Sequence, residues 1–599
     1  MSPNAVRRTM TLSLNFACKL THASSKPAQL PAQLLFCIAL GSGIASVSTP
    51  LQAAAPLLGN PVDAVPRLES APTNNPPAPA VPVATPTPQQ QELAARMALR
   101  LVPRYFDVTG VKSIPFDEVS ALLSPLANKN ISLGELVQQV DEITKLYRQR
   151  GYPLSFALVQ NQTFADGKVI VTVVEGYVAT VNIEGDLGGA RSRLESIGEN
   201  LTAERPLTQA TLERVLNLMR TVPGTKIDPA LELPRRADGA TELVLKATHQ
   251  RVAATGSAAD LGTGTQPLAN ASFNSLTPLG EQLKLTSSVP LNSDDVRFHQ
   301  GELTIPISNN GMALKIDGYH YRAEPEDDAV RALGFDRTVR TDRIGAAVSY
   351  PFLMNNRQLL TGSLGMYAVN SRDRYDARVG DAFVQQNTRV RAATADIRYF
   401  QVSDKYSSDV TLAVSRGLDA LGARKNVETS VGAGQPPELE LEFTRFNLNA
   451  RQTVQLPAQF GLVFSGTAQY SNDVLPSSEQ ISFGSYRYGL GYAQGARSGD
   501  KGVGVSAEVN RRFNTGFAYV SSLQPYASVD YARSWYNSDS LSSFRNRHLS
   551  SVALGLRVTD DKYYLFDVNV ARPIAARATN DQSREFRINA NYSFFYGAN

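Results

Sequence analysis

The stretch FRINANYSF, residues 586–594, decides the fold, because its side chains alternate strictly in character. The apolar or aromatic set is Phe586, Ile588, Ala590, Tyr592 and Phe594, and every residue between them is polar. A period of two is typical of a β-strand. A strand with one apolar face and one face of amides and charge suits lipid on one side and water on the other, as in a membrane-spanning β-barrel.

The same alternation recurs from about residue 252 onward, where helical periodicity disappears. It is clear in YYLFDVNV (563–570), SVALGLRV (551–558) and GLVFSGTAQY (461–470). Counting such segments predicts sixteen strands, near 252–260, 267–276, 280–290, 296–306, 312–322, 342–353, 358–370, 387–400, 406–416, 440–455, 460–472, 502–513, 523–534, 549–559, 562–572 and 584–596. An even number of strands suits a closed barrel whose chain ends lie on the same side of the membrane. A large soluble all-β protein is the alternative interpretation.

The predicted connections between these strands fall into two length classes. The tight turns are SNNG (308–311), MNNR (354–357) and LPAQ (456–459), whereas 323–341, 371–386, 417–439 and 473–501 are long. Short turns at one end and long loops at the other are the expected asymmetry of an outer-membrane barrel. We therefore predict an all-β transmembrane barrel of sixteen antiparallel strands over residues 250–599.

The chain ahead of the barrel carries a repeat of two small α+β modules. Each has the order strand, helix, helix, strand, strand, over residues 103–176 and 177–249. The long helix of the first module begins at a capping box, in which Ser132 is followed three residues later by Glu135. Modules of this kind leave a strand edge open, and an open edge can receive an extended peptide by strand addition.

The first residues have the composition of a secretory signal. Four basic residues precede the apolar run LLFCIALGSGIA (34–45), which is shorter than the roughly 18 apolar residues of a membrane-crossing helix. We predict a signal peptide over residues 1–54, with an uncleaved anchor helix as the alternative, and a Pro/Ala-rich linker over 55–102. Both cysteines, Cys18 and Cys37, lie in the predicted leader, so the fold does not depend on disulfides.

Charge and motif content argue against several function classes. The full chain has 59 Lys+Arg against 55 Asp+Glu, and the four basic residues of the leader account for the whole excess. A formally neutral mature protein lacks the electrostatic support that nucleic-acid binding needs. No GxSxG nucleophile elbow and no HExxH zinc motif occurs, and the four histidines after the leader have no metal-ligand spacing. We expect no catalysis, no cofactor and no metal.

The glycine-rich stretch YRYGLGYAQGARSGDKGVGV, residues 486–505, is not a phosphate-binding loop. Its first glycines are spaced G-x-G-x-x-x-G rather than as a dinucleotide fingerprint, and GDK (499–501) is not the G-K-[ST] ending of a P-loop. The stretch also joins two predicted strands, with no helix N-terminus to hold an anion. We expect no nucleotide to bind there.

These features together resemble the two-partner secretion transporters, the haemolysin secretion/activation family of outer-membrane pores, and the modules resemble POTRA (polypeptide-transport-associated) domains. The resemblance covers nearly all of the chain after the leader. One carrier is RGYPLSFALVQNQTFADGKVIVTVVEGYVATVNIEG (150–185), which crosses the module junction with a strand ending in V-x-E-G. The others are LQPYASVDYARSW (523–535) in the thirteenth strand and the glycine-rich stretch.

The resemblance implies that the long loop after the eleventh strand folds into the barrel. The family's loop tip reads V-R-G-[FY] and is followed by S-G-D-x-G. Here Gly491 and Tyr492 match G-[FY], and Gly499 and Asp500 lie in the second motif. Leu490 occupies the position of the family's tip arginine, which is a departure from the pattern.

In the family that arginine is expected to pair with an aspartate on the inner wall of the thirteenth strand, and Asp530 matches this aspartate. The alternation agrees, since Asp530 falls on the opposite face of its strand from Val529 and Tyr531. The family's glycine two residues later is Ala532, a second departure. Our hypothesis is that Arg487, three residues before Leu490, reaches Asp530 instead; the alternative is that Arg487 is only solvated.

These expectations describe an outer-membrane translocator with its POTRA modules in the periplasm. The modules would bind an unfolded exported partner protein, which would then pass through the barrel as the loop shifts. An outer-membrane protein assembly insertase and a passive porin are the alternatives. The other expected partners are outer-membrane lipid, periplasmic chaperones and the barrel-assembly machinery; we expect no nucleic acid.

Overall fold

A computed structural model of the chain describes residues 97–596, apart from short gaps, together with the two-residue strands Leu51–Gln52 and Val83–Ala84. The gaps fall at 235, 237, 261–264, 290–295, 326–327, 431, 433, 436–437, 487, 539–547 and 576–585. Nearly all of the predicted signal peptide (1–54) and most of the predicted linker (55–102) lie outside the described residues. Within the described ranges, no helix combines the length and the hydropathy required to cross a membrane.

The first module is a three-stranded sheet packed against two helices. Its elements in chain order are β1 (Arg100–Leu101), β2 (Tyr105–Thr109), α1 (Phe116–Leu123), β3 (Ile131–Ser132), α2 (Leu133–Gln149), β4 (Phe156–Val159) and β5 (Lys168–Val174). The last strand, β5, lies in the middle, parallel to β2 and antiparallel to β4. The predicted capping box begins α2, where the Glu135 backbone N donates to Ser132 Oγ at 3.1 Å. Leu136, Ile143 and Tyr147 of α2 are buried in the core of the module.

Glu175, in the V-x-E-G motif, joins the end of β5 to the rest of the first module. Its carboxylate accepts hydrogen bonds from the backbone N atoms of Lys112 (2.8 Å) and Ser113 (2.7 Å) and from the Tyr147 hydroxyl (2.9 Å). Burial acts to raise the pKa of Glu175, but these hydrogen bonds outweigh it and hold the pKa below its usual value. Burial and the bond to Glu175 raise the pKa of Tyr147. A Cβ on the next residue, Gly176, would lie 2.4 Å from the Leu154 carbonyl oxygen, which explains the glycine of the motif.

The second module repeats this topology. It consists of β6 (Tyr177–Glu184), α3 (Ala190–Thr202), α4 (Gln209–Arg220), β7 (Thr225–Glu232) and β8 (Ala240–His249). The last strand is again central, parallel to β6 and antiparallel to β7. The strand Val83–Ala84 pairs with the end of β7. The helix faces that bury Leu194, Leu212 and Met219 close the core over the sheet.

Sixteen strands in the described residues close into an antiparallel barrel. They are β9 (Val252–Asp260), β10 (Thr265–Asn274), β11 (Gln282–Ser288), β12 (Arg297–Pro306), β13 (Ala313–Ala323), β14 (Phe335–Met354), β15 (Gln358–Ala377), β16 (Phe383–Val402), β17 (Tyr406–Gly417, continued by Arg424–Thr429), β18 (Thr444–Gln455), β19 (Phe460–Tyr470), β20 (Lys501–Arg511, continued by Phe513–Phe517), β21 (Val520–Trp535), β22 (His548–Thr559), β23 (Tyr564–Pro573) and β24 (Arg587–Tyr596). The first strand pairs with the last, for example Ala258 opposite Tyr592. The predicted fold class is therefore confirmed.

The two faces of the barrel wall differ as the alternation predicts. Leu364 and Leu554 point outward and are 69% and 70% exposed, as expected of side chains that face lipid. The lumen side carries charge instead: both Nη atoms of Arg557 donate to Glu508, at 2.7 and 2.8 Å, and its Nε donates to Asp567 at 3.0 Å. The wall thus presents apolar side chains to lipid on the outside and charged side chains to the water of the lumen.

The second module is docked against the end of the barrel that carries the short turns, here called the turn end. Arg214 Nη2 donates to the carbonyl oxygens of Asn310 (3.1 Å) and Pro351 (2.9 Å), in the β12–β13 turn and near the end of β14. Arg193 Nη1 donates to Asn309 Oδ1 at 2.8 Å. The buried Leu218 lies against the same turn, since a Cβ on Gly311 would be 2.7 Å from its Cδ2 atom. Module 2 is thus fixed to one side of the turn end.

Candidate functional site: a loop inside the barrel

The connection between β19 and β20, residues 471–500, turns back into the barrel, and we call it the lumen loop. It contains a 3-10 turn at Ser477–Glu479 and a short hairpin in which Ile481–Phe483 pairs with Arg497–Gly499. Ile481, Phe483 and Tyr492 of the loop are at most 4% exposed and form a buried cluster with two residues of the wall. A loop whose apolar side chains pack on inward-facing wall residues fills the lumen rather than covering it from outside.

The loop tip is bound to Asp530 on the inner face of β21. The Leu490 backbone N donates to Asp530 Oδ2 at 3.1 Å, and the same carboxylate accepts from Ser551 Oγ at 2.7 Å. The Leu490 carbonyl oxygen accepts from Asn589 Nδ2 on β24 at 3.1 Å. The main chain of Leu490 therefore contacts the aspartate that the family's arginine side chain is expected to reach.

Arg487 lies outside the described residues, so its pairing with Asp530 remains a hypothesis. Ala532, which stands where the family has glycine, is fully buried in the cluster with Phe483, Tyr492 and Leu549. Its methyl group fills space between the loop and the wall and does not exclude the loop.

Tyr492 and Gly491 press the tip against the last strands. The Tyr492 hydroxyl donates to the Ser550 carbonyl oxygen at 3.2 Å. Gly491 lies so close to β23 that a Cβ there would be 2.6 Å from the backbone N of Pro573. The glycine is required by this close approach of two backbones, not by an anion.

The returning arm of the loop is organised around Asp500, which is fully buried. Its carboxylate accepts from the backbone N atoms of Leu475 (3.0 Å) and Asn537 (2.8 Å) and from Gln480 Nε2 (3.1 Å). Asp500 precedes the first residue of β20, and burial raises its pKa although these hydrogen bonds oppose the rise. Gly499 is packed against the Trp535 carbonyl oxygen, 2.5 Å from where a Cβ would lie. The second motif thus ties both arms of the loop to the segment after β21.

Sequence reasoning missed Glu479, which anchors the root of the loop to the wall at β15 and β18. Glu479 is 2% exposed and forms an ion pair with Arg445 of β18, Nη1 to Oε2 at 2.7 Å. The Tyr367 hydroxyl of β15 donates to the same carboxylate at 2.8 Å. The partners lie 112 and 34 residues away in sequence, so neither motif nor spacing indicates the site.

In the described residues, the arrangement consists of hydrogen-bond acceptors, amides and one buried ion pair. In the part of the chain that the structure describes, no group of three or more His, Cys, Asp or Glu residues is placed to hold a metal ion. The site is a set of contacts that hold a loop in a lumen.

A closed sixteen-strand barrel with an in-folded loop and α+β modules ahead of it defines the class of outer-membrane POTRA-barrel transporters. A profile of the family described as haemolysin secretion/activation protein ShlB/FhaC/HecB matches residues 255–558, just over half of the chain. A profile of the POTRA domain of ShlB type matches residues 101–176, which form module 1. The chain belongs to the haemolysin secretion/activation family, and it is a two-partner secretion transporter of the outer membrane with its modules in the periplasm.

Individual relatives agree with this assignment. The chain is 23% identical over 485 residues to the heme/hemopexin transporter protein HuxB of Haemophilus influenzae (strain 86-028NP), covering 78% of this chain and 83% of the relative. It is 24% identical over 472 residues to the hemolysin transporter protein ShlB of Serratia marcescens, covering 74% and 79%.

Two solved structures share the fold. CdiB from Escherichia coli matches with a TM-score of 0.64 at 16% identity over 86% of this chain and 93% of that chain. CdiB from Acinetobacter baumannii matches with a TM-score of 0.55 at 15% identity over 94% and 96%.

Proposed function

We propose that this transporter secretes a large unfolded exoprotein through its barrel, and that the lumen loop is the element that must move for each passage. The observation that supports this is the placement of residues 471–500 inside the closed barrel, attached to the wall at root, return and tip. The transporter makes and breaks no covalent bond. Its partner is an exported protein of the kind that the haemolysin transporters secrete.

The modules supply the surface that first receives the exported chain. The strand at one edge of each sheet, β2 in module 1 and β6 in module 2, pairs with one neighbour only, as far as the described residues extend. Unpaired backbone N–H and C=O groups of such an edge can hydrogen-bond an extended peptide with little dependence on its sequence. An unfolded chain meets that requirement.

Deletion of the gene in its native host tests the proposed function. Quantitative proteomics of the culture medium and of the outer membrane should show the loss of one or two large secreted proteins and an unchanged set of outer-membrane barrels. Depletion of many barrel proteins would identify an assembly insertase instead, and unchanged secretion with reduced solute uptake would identify a porin.

The role of the loop is tested by fixing it. The pair Leu490→Cys and Asn589→Cys joins the tip to β24, where the Asn589 side chain already contacts the Leu490 carbonyl oxygen. The control pair Val570→Cys and Ile588→Cys joins β23 to β24 on the outer face, where both residues are directly opposite. Oxidation should stop secretion only in the first pair, and reduction should restore it. Normal secretion with the tip cross-linked would refute the loop's role.

A further inference from the structure

The outer face of the barrel carries four arginines in direct cross-strand register, which we call the arginine row. Arg297 of β12 lies opposite Arg322 of β13, Arg322 opposite Arg340 of β14, and Arg340 opposite Arg372 of β15. All four side chains are exposed. Like charges directly opposite one another on a sheet repel and destabilise it, with Cβ atoms only about 5 Å apart. Such a row needs a negative counterpart.

The face to which these arginines belong follows from the alternation. Arg340 is separated by an even number of residues from Ile344 and Val348, which are 63% and 40% exposed on the apolar outer surface. Thr341, which follows Arg340 and therefore points to the opposite face of the strand, is fully buried. The row therefore lies on the outside of the barrel, above the apolar band.

The height of the row places it at the surface of the bilayer. Tyr350 marks the turn end, where its hydroxyl accepts from Arg214 of module 2 at 3.2 Å. Arg340 lies ten residues before Tyr350 in β14, on the side away from the turn end. Ten residues span about 33 Å of strand at roughly 3.3 Å per residue, which is about 25 Å along the barrel axis for a strand tilted near 40°. The lipid-facing band of such barrels is about 25 Å tall, so the row lies at the headgroups of the outer leaflet.

A second pair of arginines lies beside the row, one outward-facing position closer to the apolar band. Arg389 of β16 lies opposite Arg424, and both are exposed. The carboxylates nearest to the patch are Asp342, which accepts from Arg340 Nε at 3.2 Å, and Glu324, which accepts from Arg322 Nη2 at 3.0 Å. Both are exposed pairs on one strand and contribute little. A third carboxylate, Glu428, accepts from Asn387 Nδ2 at 2.9 Å, and Asn387 Oδ1 accepts from Arg372 Nε at 3.4 Å. In the described residues, six arginines thus face three nearby carboxylates.

Other outward arginines at the rim lie on aromatic rings. On the other side of the barrel these are Arg533 over Trp535 at 4.9 Å and Arg572 over Phe586 at 5.4 Å, and beside the row Arg374 lies over Phe383 at 4.2 Å. Aromatic side chains at the interface are the ordinary girdle of a membrane barrel. The arginine row is confined to β12–β15, so it is a local surface and not a general property of the rim.

An open groove of about 870 Å³ runs along the same wall, below the row and toward the membrane. Small residues, Ala269, Ala271, Gly301 and Gly318, form much of its lining, and His299, His320 and Asp342 stand at its upper edge. The small side chains leave a shallow apolar depression in the lipid-facing surface. It has room for acyl chains of a lipid whose headgroup reaches the arginines.

We propose that the arginine row and Arg389 bind the phosphates of a phosphorylated glycolipid of the outer leaflet, the lipopolysaccharide class. A guanidinium presents paired N–H donors that match phosphate oxygens, and several in one row bind a bis-phosphorylated headgroup better than a single phosphate. The bound phosphates neutralise the cross-strand repulsion between the arginines. The ligand fixes this wall of the barrel in the membrane while the lumen loop moves.

The experiment measures binding of bis-phosphorylated lipid A to the purified full-length protein in neutral detergent, by native mass spectrometry. Fully dephosphorylated lipid A, phosphatidylglycerol and inorganic pyrophosphate are the comparison ligands. We expect the bis-phosphorylated lipid to bind at least tenfold more tightly than each of the others. Equal binding of dephosphorylated lipid A or of phosphatidylglycerol would overturn the proposal, and equal binding of pyrophosphate would identify a site for soluble phosphate instead.

The double variant Arg340→Gln/Arg372→Gln locates the site, with Arg533→Gln/Arg572→Gln on the other wall as the matched control. At roughly fivefold per arginine, the first variant should bind the bis-phosphorylated lipid about 25-fold more weakly, and the control should bind it like the wild type. Equal losses in both variants would overturn the assignment to the row. Heat-modifiable gel mobility verifies folding, and the wild-type ligand comparison decides the proposal if the variant does not fold.

Discussion

Replacing Asp530 by alanine should release the tip of the lumen loop without unfolding the barrel. The carboxylate accepts the Leu490 backbone N–H, a hydrogen bond to a charged group worth about 1.5–3 kcal/mol. The carboxylate also accepts from Ser551, which belongs to the wall, so the loss of that bond affects β21 and β22 rather than the loop. The loss of the Leu490 bond alone should raise the open population of the tip by about 10- to 150-fold.

Single-channel conductance of the purified protein in planar bilayers measures this population directly. Asp530→Ala should show openings in proportion to the gain, and Asp530→Asn, which retains a neutral acceptor, should show a smaller gain. Asp409→Ala is the matched control, because Asp409 also lies on the lumen wall but pairs with Arg398 away from the loop. An Asp530→Ala protein that is folded and conducts like the wild type would show that this carboxylate does not hold the loop.

Three further changes follow from other contacts. Gly491→Ala places a Cβ 2.6 Å from the Pro573 backbone N and should increase channel opening. Gly466→Ala is the control, because its Cβ would meet only ordinary van der Waals contacts at 3.8 and 3.9 Å, and it should leave channel opening unchanged. Glu175→Gln should lower the stability of module 1 by about 3 kcal/mol, and Tyr147→Phe, which removes one hydrogen bond to Glu175, by about 1 kcal/mol. Denaturant-dependent hydrogen exchange in the full-length protein measures both. Equal small effects of the two variants would contradict the assignment of several hydrogen bonds to Glu175. The lowered pKa of Glu175 means that its contribution is complete above pH 4.5 and disappears as the pH falls through the folded value, so acid destabilisation of module 1 should be weaker in Glu175→Gln.

The architecture was predictable because it depends on the short-range alternation of apolar and polar side chains. Alternation over ten residues reports that a strand has lipid on one face and water on the other, and this depends only on the strand itself. The capping box at Ser132 is equally local, since both of its groups lie within one helical turn. Such features need no knowledge of which strand neighbours which.

The site was less predictable because its contacts cross the barrel and use the main chain. Because Leu490 stands where the family has an arginine, the sequence suggests another side chain, Arg487, as the partner of Asp530. The hydrogen bond to Asp530 that the structure shows comes instead from the Leu490 backbone N–H, a group that every residue except proline possesses. Glu479 lies in a loop without periodicity, and its partner Tyr367 comes close to it only when the barrel has formed. The arginine row likewise appears only when the register of four strands is known.

The root and the tip of the lumen loop are held by contacts of different strength. The root depends on the buried Glu479–Arg445 ion pair, whose disruption costs about 3–5 kcal/mol, while the tip depends on separate hydrogen bonds to Leu490 and Tyr492. If the loop moves as proposed, it would turn about Glu479 once the contacts of Leu490 and Tyr492 break. The Glu479–Arg445 ion pair would keep the root on the wall, so the loop could return to the same place after the exported chain has left.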